Sequence, residues 1–217
     1  MMLAVIDYGA ANLGSVCRAF RRLGADPVVT ANPADLQAAT HIVLPGVGSF
    51  SDCSRSLREG GWFEAIQAEV QTRNKAMLGV CVGMQLLADE GTEWGTHAGL
   101  GLIPGCVRRL DEIGCTLRIP HVGWNNLCVL GVQGGQGRQG SLLSKIPSGT
   151  DMYFVHSYAM QTADPQDVWA TVHYGVPLAC VVGRGRVMGV QFHPEKSAKA
   201  GLKLLQNFLN LPVAGAC

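Results

Sequence analysis

The chain has 217 residues, enough for one sizeable domain with its own core. Hydrophobic residues make up 47% and charged residues only 15%, against the ~25% charged residues usual in globular domains, and so sparse a charge leaves surface for a partner to cover. A formal net charge of +1 gives no electrostatic footprint for nucleic acid or an anionic membrane, and no apolar run in the sequence is long enough to span a bilayer.

The opening Met2-Leu3-Ala4-Val5-Ile6-Asp7 reads as a first strand. It lacks the basic lead, long apolar run and small-residue cleavage site of a signal peptide, so a cytoplasmic location is expected. The eight cysteines (17, 53, 81, 106, 115, 128, 180 and 217) form no C-x-x-C pair. Neither a zinc site nor a redox dithiol is therefore expected, and the thiols should be free; nothing calls for a metal or a cofactor. Val16, Ala19, Phe20 and Leu23 fall at i, i+3, i+4, i+7, the stripe of a helix packed on a sheet. A strand at Val28-Val29-Thr30 follows, then Asn32-Pro33, an N-cap with proline at the first helical position. Ile42-Val43-Leu44 is a buried strand ending in Pro45-Gly46-Val47-Gly48, residues 62–70 read as helical, and another apolar strand runs into Cys81.

The second half is richer in strands, at about 106–110, 115–119, 126–130, 152–158, 168–173, 178–182 and 186–192. It ends in a helix with Ser197 as cap and Leu202, Leu205 and Leu209 on one side. Alternating strands and helices imply an α/β fold: a mostly parallel central sheet with helices on both faces, supplemented by an antiparallel strand-rich portion. No linker divides the chain, so a single domain over 1–217 is expected. In Gly131–Gly140, Gly135-x-Gly137-x-x-Gly140 matches the dinucleotide-binding pattern by letter, but no strand leads into it and no well-formed helix opens from it, so it reads as a surface loop.

Two distant stretches carry chemistry. Gly79-x-Cys81-x-Gly83 has the spacing of a nucleophile elbow with sulfur in place of oxygen. Small flanking residues let the backbone turn tightly there, and the N-terminus of a following helix, with Met84 and Leu87 on one face, favours thiolate. The bland reading of any single cysteine is a buried structural thiol. The second stretch, Phe192-His193-Pro194-Glu195, shifts that balance. In an extended chain residues 193 and 195 point the same way, and Pro194 holds that geometry, so Glu195 can orient the His193 imidazole while its other nitrogen takes the Cys81 proton. Val82, immediately after the nucleophile, supplies one oxyanion N–H by elbow geometry, and the Pro45–Gly48 strand end is the second source, Val47 before Gly48.

Three further stretches accompany these: Ile119-Pro120-His121-Val122-Gly123-Trp124-Asn125, Tyr153-Phe154-Val155-His156-Ser157-Tyr158, and Gly189 to Ser197. With Asp7-Tyr8-Gly9 and Leu44-Pro45-Gly46-Val47-Gly48-Ser49-Phe50, they make the sequence resemble the class I, triad-type glutamine amidotransferases, and within them the glutaminase subunits of imidazole glycerol phosphate synthases. The resemblance runs from residue 2 to about residue 210. Ala11 departs from it where glycine is expected, and the 131–140 loop is longer and richer in glycine.

The resemblance implies that Cys81, His193 and Glu195 are a catalytic triad and that the Val47 peptide reorients on activation. It further implies that Gln85, Glu93, Ser157 and Tyr158 hold the glutamine substrate, and that Asn12, Trp124 and Lys196 face a partner. That partner is a (β/α)8-barrel cyclase subunit, which uses the released ammonia to form imidazole glycerol phosphate and an aminoimidazole carboxamide ribotide. Three alternatives stay open at this point: a glutaminase serving a different ammonia-dependent synthase, a stand-alone cysteine hydrolase of γ-glutamyl bonds, and a non-catalytic module that keeps the fold.

Overall fold

The structure, a computed structural model, describes residues 2–130 and 142–213. Its first half follows the alternation of the sequence. Strand β1 (Leu3–Ile6) leads through helix α1 (Leu13–Arg22) to β2 (Pro27–Thr30), and a 3-10 turn, Pro33–Gln37, leads to β3 (His41–Gly46). Helices α2 (Phe50–Glu59) and α3 (Trp62–Gln67) precede β4 (Ala76–Cys81). As the spacing predicts, α1 buries Val16, Ala19 and Phe20, and the Asn32 side chain caps its turn by accepting from Ala34 N–H.

After β4 come the single-turn helix α4 (Val82–Gln85), short strands β5 (Glu90–Gly91) and β6 (His97–Ala98), and β7 (Gly105–Arg109). The chain continues through β8 (His121–Val129), β9 (Asp151–His156), β10 (Tyr158–Thr162), β11 (Val168–Tyr174), β12 (Val176–Arg184) and β13 (Val187–Val190). Helix α5 (Ala198–Leu209) completes the described elements.

One nine-stranded sheet has the order β2-β1-β3-β4-β13-β12-β11-β8-β9. Strands β2, β1, β3, β4 and β13 are parallel to their neighbours; from β13 through β9 every pairing is antiparallel. The antiparallel portion thus extends the same sheet, and a separate four-stranded sheet, β10-β7-β5-β6, lies beside it. Right-handed crossovers step from β1 to β2 in one direction and from β3 to β4 in the other, which puts α1 and α2–α3 on opposite faces. Helix α1 accordingly packs against α5, and α2 against α3. Strands β1, β3, β4 and β13 are buried along their whole length, which explains their near-continuous apolar runs.

Several expectations are corrected. Residues 115–119 form no strand: Cys115 Sγ–H donates to the Tyr174 carbonyl (3.1 Å) and Tyr174 O–H to the Arg118 carbonyl (2.5 Å), so side chains tether this segment instead of a ladder. The run 126–130 is the latter part of the longer β8. The run 152–158 breaks at Ser157, where the chain leaves the large sheet (β9 on β8) for the small one (β10 on β7). The helix predicted over 62–70 ends at Gln67 and continues as a wider π turn, Ala68–Thr72, where buried Glu69 is paired with Lys75 (2.6 Å). Ser197 does not cap α5 with its side chain. Helix α2 and strands β5 and β6 have no counterpart in the sequence reading. The glycine pattern at Gly135, Gly137 and Gly140, and Cys217, lie outside the described residues. The other cysteines are free thiols. Ala11 has no positive φ, so its departure from glycine imposes no backbone strain.

Candidate active site

Cys81 ends β4 with φ +56° and ψ −113°, a conformation rare for a residue with a side chain and characteristic of a nucleophile elbow. The flanking glycines are there for want of room. A Cβ on Gly83 would lie 1.9 Å from the Leu44 carbonyl oxygen, and one on Gly79 would lie 2.5 Å from that of Gly83. The helix after the elbow is a single turn, shorter than predicted, so its dipole is a minor influence on the sulfur. Gln191 Nε2 approaches Cys81 Sγ at 3.9 Å, the thiol donates to the Val155 carbonyl at 3.9 Å, and His193 lines the same cavity as the sulfur.

His193 lies just beyond β13, and its Nδ1 is 2.9 Å from Glu195 Oε1. The route differs from the predicted extended pair. His193 is extended (φ −98°, ψ 96°), but Pro194–Lys196 is a 3-10 turn that brings Glu195 back beneath the ring. Proline suits the first position of that turn. Ser197 serves as a clamp: its hydroxyl donates to the His193 carbonyl (2.7 Å) and accepts from Tyr153 N–H (3.0 Å), while His193 N–H donates to the Tyr153 carbonyl (2.9 Å). Burial disfavours the imidazolium, but the Cys81 and Glu195 hydrogen bonds and charges outweigh it and raise the His193 pKa to about 9.

A cavity of about 380 Å³ opens over the sulfur, within the range of small-molecule sites. It is lined by most of the residues singled out in the sequence: Cys81, Val82, Val47, Gly48, Gln85, Glu93, Ser157, Tyr158, His193 and Lys196. Glu195 stands behind His193. Trp124 and Asn12 are not in the lining: Trp124 is exposed and packs edge-on against Tyr153, and Asn12 caps α1 by accepting from Ser15 N–H (3.4 Å). Lys196 Nζ lies 6.0 Å above the Tyr153 ring.

Several of the site residues are already engaged, Gln85 among them through Nε2 to the Tyr158 carbonyl (3.0 Å). Glu93 Oε2 accepts from Phe50 N–H (2.6 Å), leaving its other oxygen for a ligand. Val47 N–H donates to the Ala10 carbonyl (3.0 Å), so it is not turned toward an oxyanion, whereas Val82 N–H begins α4 with no partner inside its turn. Gly48, at φ +111°, adopts a conformation that a side chain resists, which is why glycine stands there. Sequence reasoning missed Val155, His156 and Gln191. All three lay in stretches already singled out, Tyr153–Tyr158 and Gly189–Ser197, but nothing in the letters marks Gln191, just past the end of β13, as facing the sulfur. Among the described residues no cluster of His, Cys, Asp or Glu is placed to hold a metal ion, and no helix is long and apolar enough to cross a membrane.

An elbow cysteine and a His–Glu pair converge on one cavity, the arrangement that thiol-nucleophile chemistry needs. Comparison with known families agrees: the class-I glutamine amidotransferase family matches residues 4–211, and the chain belongs to that family. The chain is 45% identical to imidazole glycerol phosphate synthase subunit HisH of Rhodospirillum rubrum, over 96% of this chain and 98% of the relative. It is 43% identical to subunit HisH 1 of Campylobacter jejuni, over 97% and 100% respectively. Among solved structures it is similar in fold to PurLQS from Thermotoga maritima (TM-score 0.74, 20% identity, covering 96% of this chain and 97% of that one). A crystal structure of a glutamine amidotransferase gives a TM-score of 0.73 at 21% identity, with the same coverage.

Proposed function

We propose that the chain is the glutaminase subunit of an imidazole glycerol phosphate synthase and acts as one domain over residues 1–217. The observation that carries this reading is the meeting of the strained Cys81 elbow with the His193–Glu195 pair at one glutamine-sized cavity. In the reaction, His193 takes the thiol proton and the Cys81 thiolate attacks the side-chain amide carbon of glutamine. The tetrahedral oxyanion collapses, the carbon–nitrogen bond breaks, and His193 passes its proton to departing ammonia. Water, deprotonated by His193, then hydrolyses the glutamyl thioester and releases glutamate. Glu195 holds the imidazole throughout. Gln85, Glu93 and the Ser157–Tyr158 backbone line the part of the cavity where the amino-acid end of glutamine fits.

The Val47 N–H bond to Ala10 supports partner-gated activity. Rotation of the Gly46–Val47 peptide must break that bond before Val47 joins Val82 as an oxyanion donor, and one such donor is worth about 3–4 kcal/mol in the transition state. The partner of this reading is a (β/α)8-barrel cyclase that takes up the ammonia, docked on the face bearing Asn12, Trp124 and Lys196, in the cytoplasm. The test is glutamate release by the purified chain with and without a co-purified barrel subunit and its nucleotide ligand. A rise of about two orders of magnitude or more in the complex is expected; equal rates would show an ungated hydrolase. Cys81→Ala should abolish glutamine hydrolysis but leave ammonia-fed synthesis by the complex intact.

A further inference from the structure

Cys81 is buried, and its reactivity depends on what faces its sulfur. The orientation of each amide around it can be worked out from acceptors of fixed identity. A backbone carbonyl only accepts, so the end of Gln85 lying 3.0 Å from the Tyr158 oxygen is its NH2 group. That same Nε2 lies 3.0 Å from Gln191, so the facing Gln191 atom is its oxygen. The other end of Gln191, the end 3.9 Å from Cys81 Sγ, is therefore its NH2 group.

The Tyr158 carbonyl that sets this polarity is itself held from a second side. His156 Nδ1–H donates to it (2.9 Å), leaving His156 Nε2 to accept from His121 Nδ1–H (2.9 Å). His121 Nε2 in turn accepts from Asn125 Nδ2 (3.2 Å), which also donates to the His173 carbonyl (3.0 Å). Every donor along the chain has one acceptor, and both ends are anchored on backbone. Gln191 is fully buried and cannot turn over without leaving two donors opposed.

We propose that Gln191 is a positioning residue of the nucleophile: locked by Gln85 and the Tyr158 carbonyl, it presents an N–H to the Cys81 sulfur and stabilises its thiolate. This deepens the reading of Cys81 as the attacking group and rests on it. A hydrogen bond to the charged form lowers a pKa, and thiolate fraction sets the rate of alkylation. The other titratable groups around the sulfur are His193 with Glu195 behind it, Tyr8 and Cys53 on the β1 and α2 sides, and Glu93, His156, Tyr158 and Lys196 on the cavity wall. All remain in a Gln191 variant, so a shifted profile reads the amide.

The experiment is the pH dependence of Cys81 carboxamidomethylation by iodoacetamide in the full chain, followed on the Cys81 peptide by mass spectrometry. Gln191→Met removes the donor and should raise the midpoint by about 0.5–1 pH unit. Gln191→Glu keeps an acceptor for Gln85 but turns an oxygen toward the sulfur, and should raise it further. A carboxylate raises the midpoint by its charge alone, so Gln191→Met decides, and an unshifted Gln191→Met overturns the proposal. Should neither variant fold, the assigned Gln191 side-chain amide resonance of the unsubstituted protein decides: it should titrate with the Cys81 midpoint and move on alkylation, and indifference to both overturns the proposal. A Cys81 in the unsubstituted chain that resists alkylation at every pH would instead count against Cys81 as nucleophile, so the two failures are distinguishable.

Discussion

His193 and the pair His121–His156 end up shifted in opposite directions although burial lowers all three. At His193 burial lowers the pKa, but Cys81 and Glu195 overcome it and the value reaches about 9. Burial lowers His121 to about 4; burial and then the charges of His121 and His193 bring His156 to about 4, against its bond to the Tyr158 carbonyl. Relative to an unfolded histidine near ~6.5, the signs are opposite. Between about 6.5 and 9 the folded chain holds an extra proton on His193, so stability falls as pH rises through that window. Between about 6.5 and 4 the unfolded chain binds protons that folded His121 and His156 refuse, so stability falls as pH drops. The urea midpoint should therefore peak near pH ~6.5, and Cys81→Ser should flatten the alkaline side alone. Glu195→Gln keeps an acceptor for Nδ1–H but removes the charge; kcat for glutamine should fall by about two to four orders of magnitude, and the His193 pKa, followed by NMR, should drop.

At the level of elements, the elbow was legible because its determinants are local: two glycines at fixed spacing and an apolar strand. Packing makes them obligatory. Gly83→Ala drives a methyl into the Leu44 carbonyl of the neighbouring β3, and rigid backbone cannot yield as a side chain would. A loss of about 2–3 kcal/mol is expected, read as a lower urea midpoint with unchanged slope. The features that were not legible depend on distant partners. The Tyr153–Tyr158 run has strand-forming residues on both sides of His156 and Ser157, and one serine in an extended stretch does not by itself mark a change of sheets. Ser197 carries the letter of a helix cap, yet its hydroxyl is claimed by Tyr153 and His193 across 44 and 4 residues of sequence. The direction of the Val47 peptide is set by Ala10, in the distant connection between β1 and α1, and no spacing rule encodes it.

Across the whole molecule, the antiparallel end of the large sheet carries the exposed apolar residues Val122, Trp124 and Val155, close to the cavity mouth that Val155 and Lys196 help to line. In the register of β8 on β9, Val122 faces Val155 and Trp124 faces Tyr153, giving cross-strand pairs beside the cavity. Under the docking proposed above, Trp124 is an anchor of the interface. Trp124→Ala should weaken association with the barrel subunit by at least about 2 kcal/mol, roughly 30-fold in Kd by calorimetry, while the thermal midpoint of the isolated chain stays put. The α/β alternation, the convergence of Cys81 with His193 and Glu195, and most of the cavity wall were legible at this scale. The continuity of parallel and antiparallel halves in one sheet was not, because β13, β12, β11, β8 and β9 come together out of chain order.

That sheet ends on β9, whose Tyr153 both lies under Lys196 and Trp124 and grips the main chain of His193. Under the docking proposed above, any evolutionary refinement of that face tugs at the aim of His193. Affinity and turnover should then drift together in this lineage, and changes that separate them must be sought away from β9.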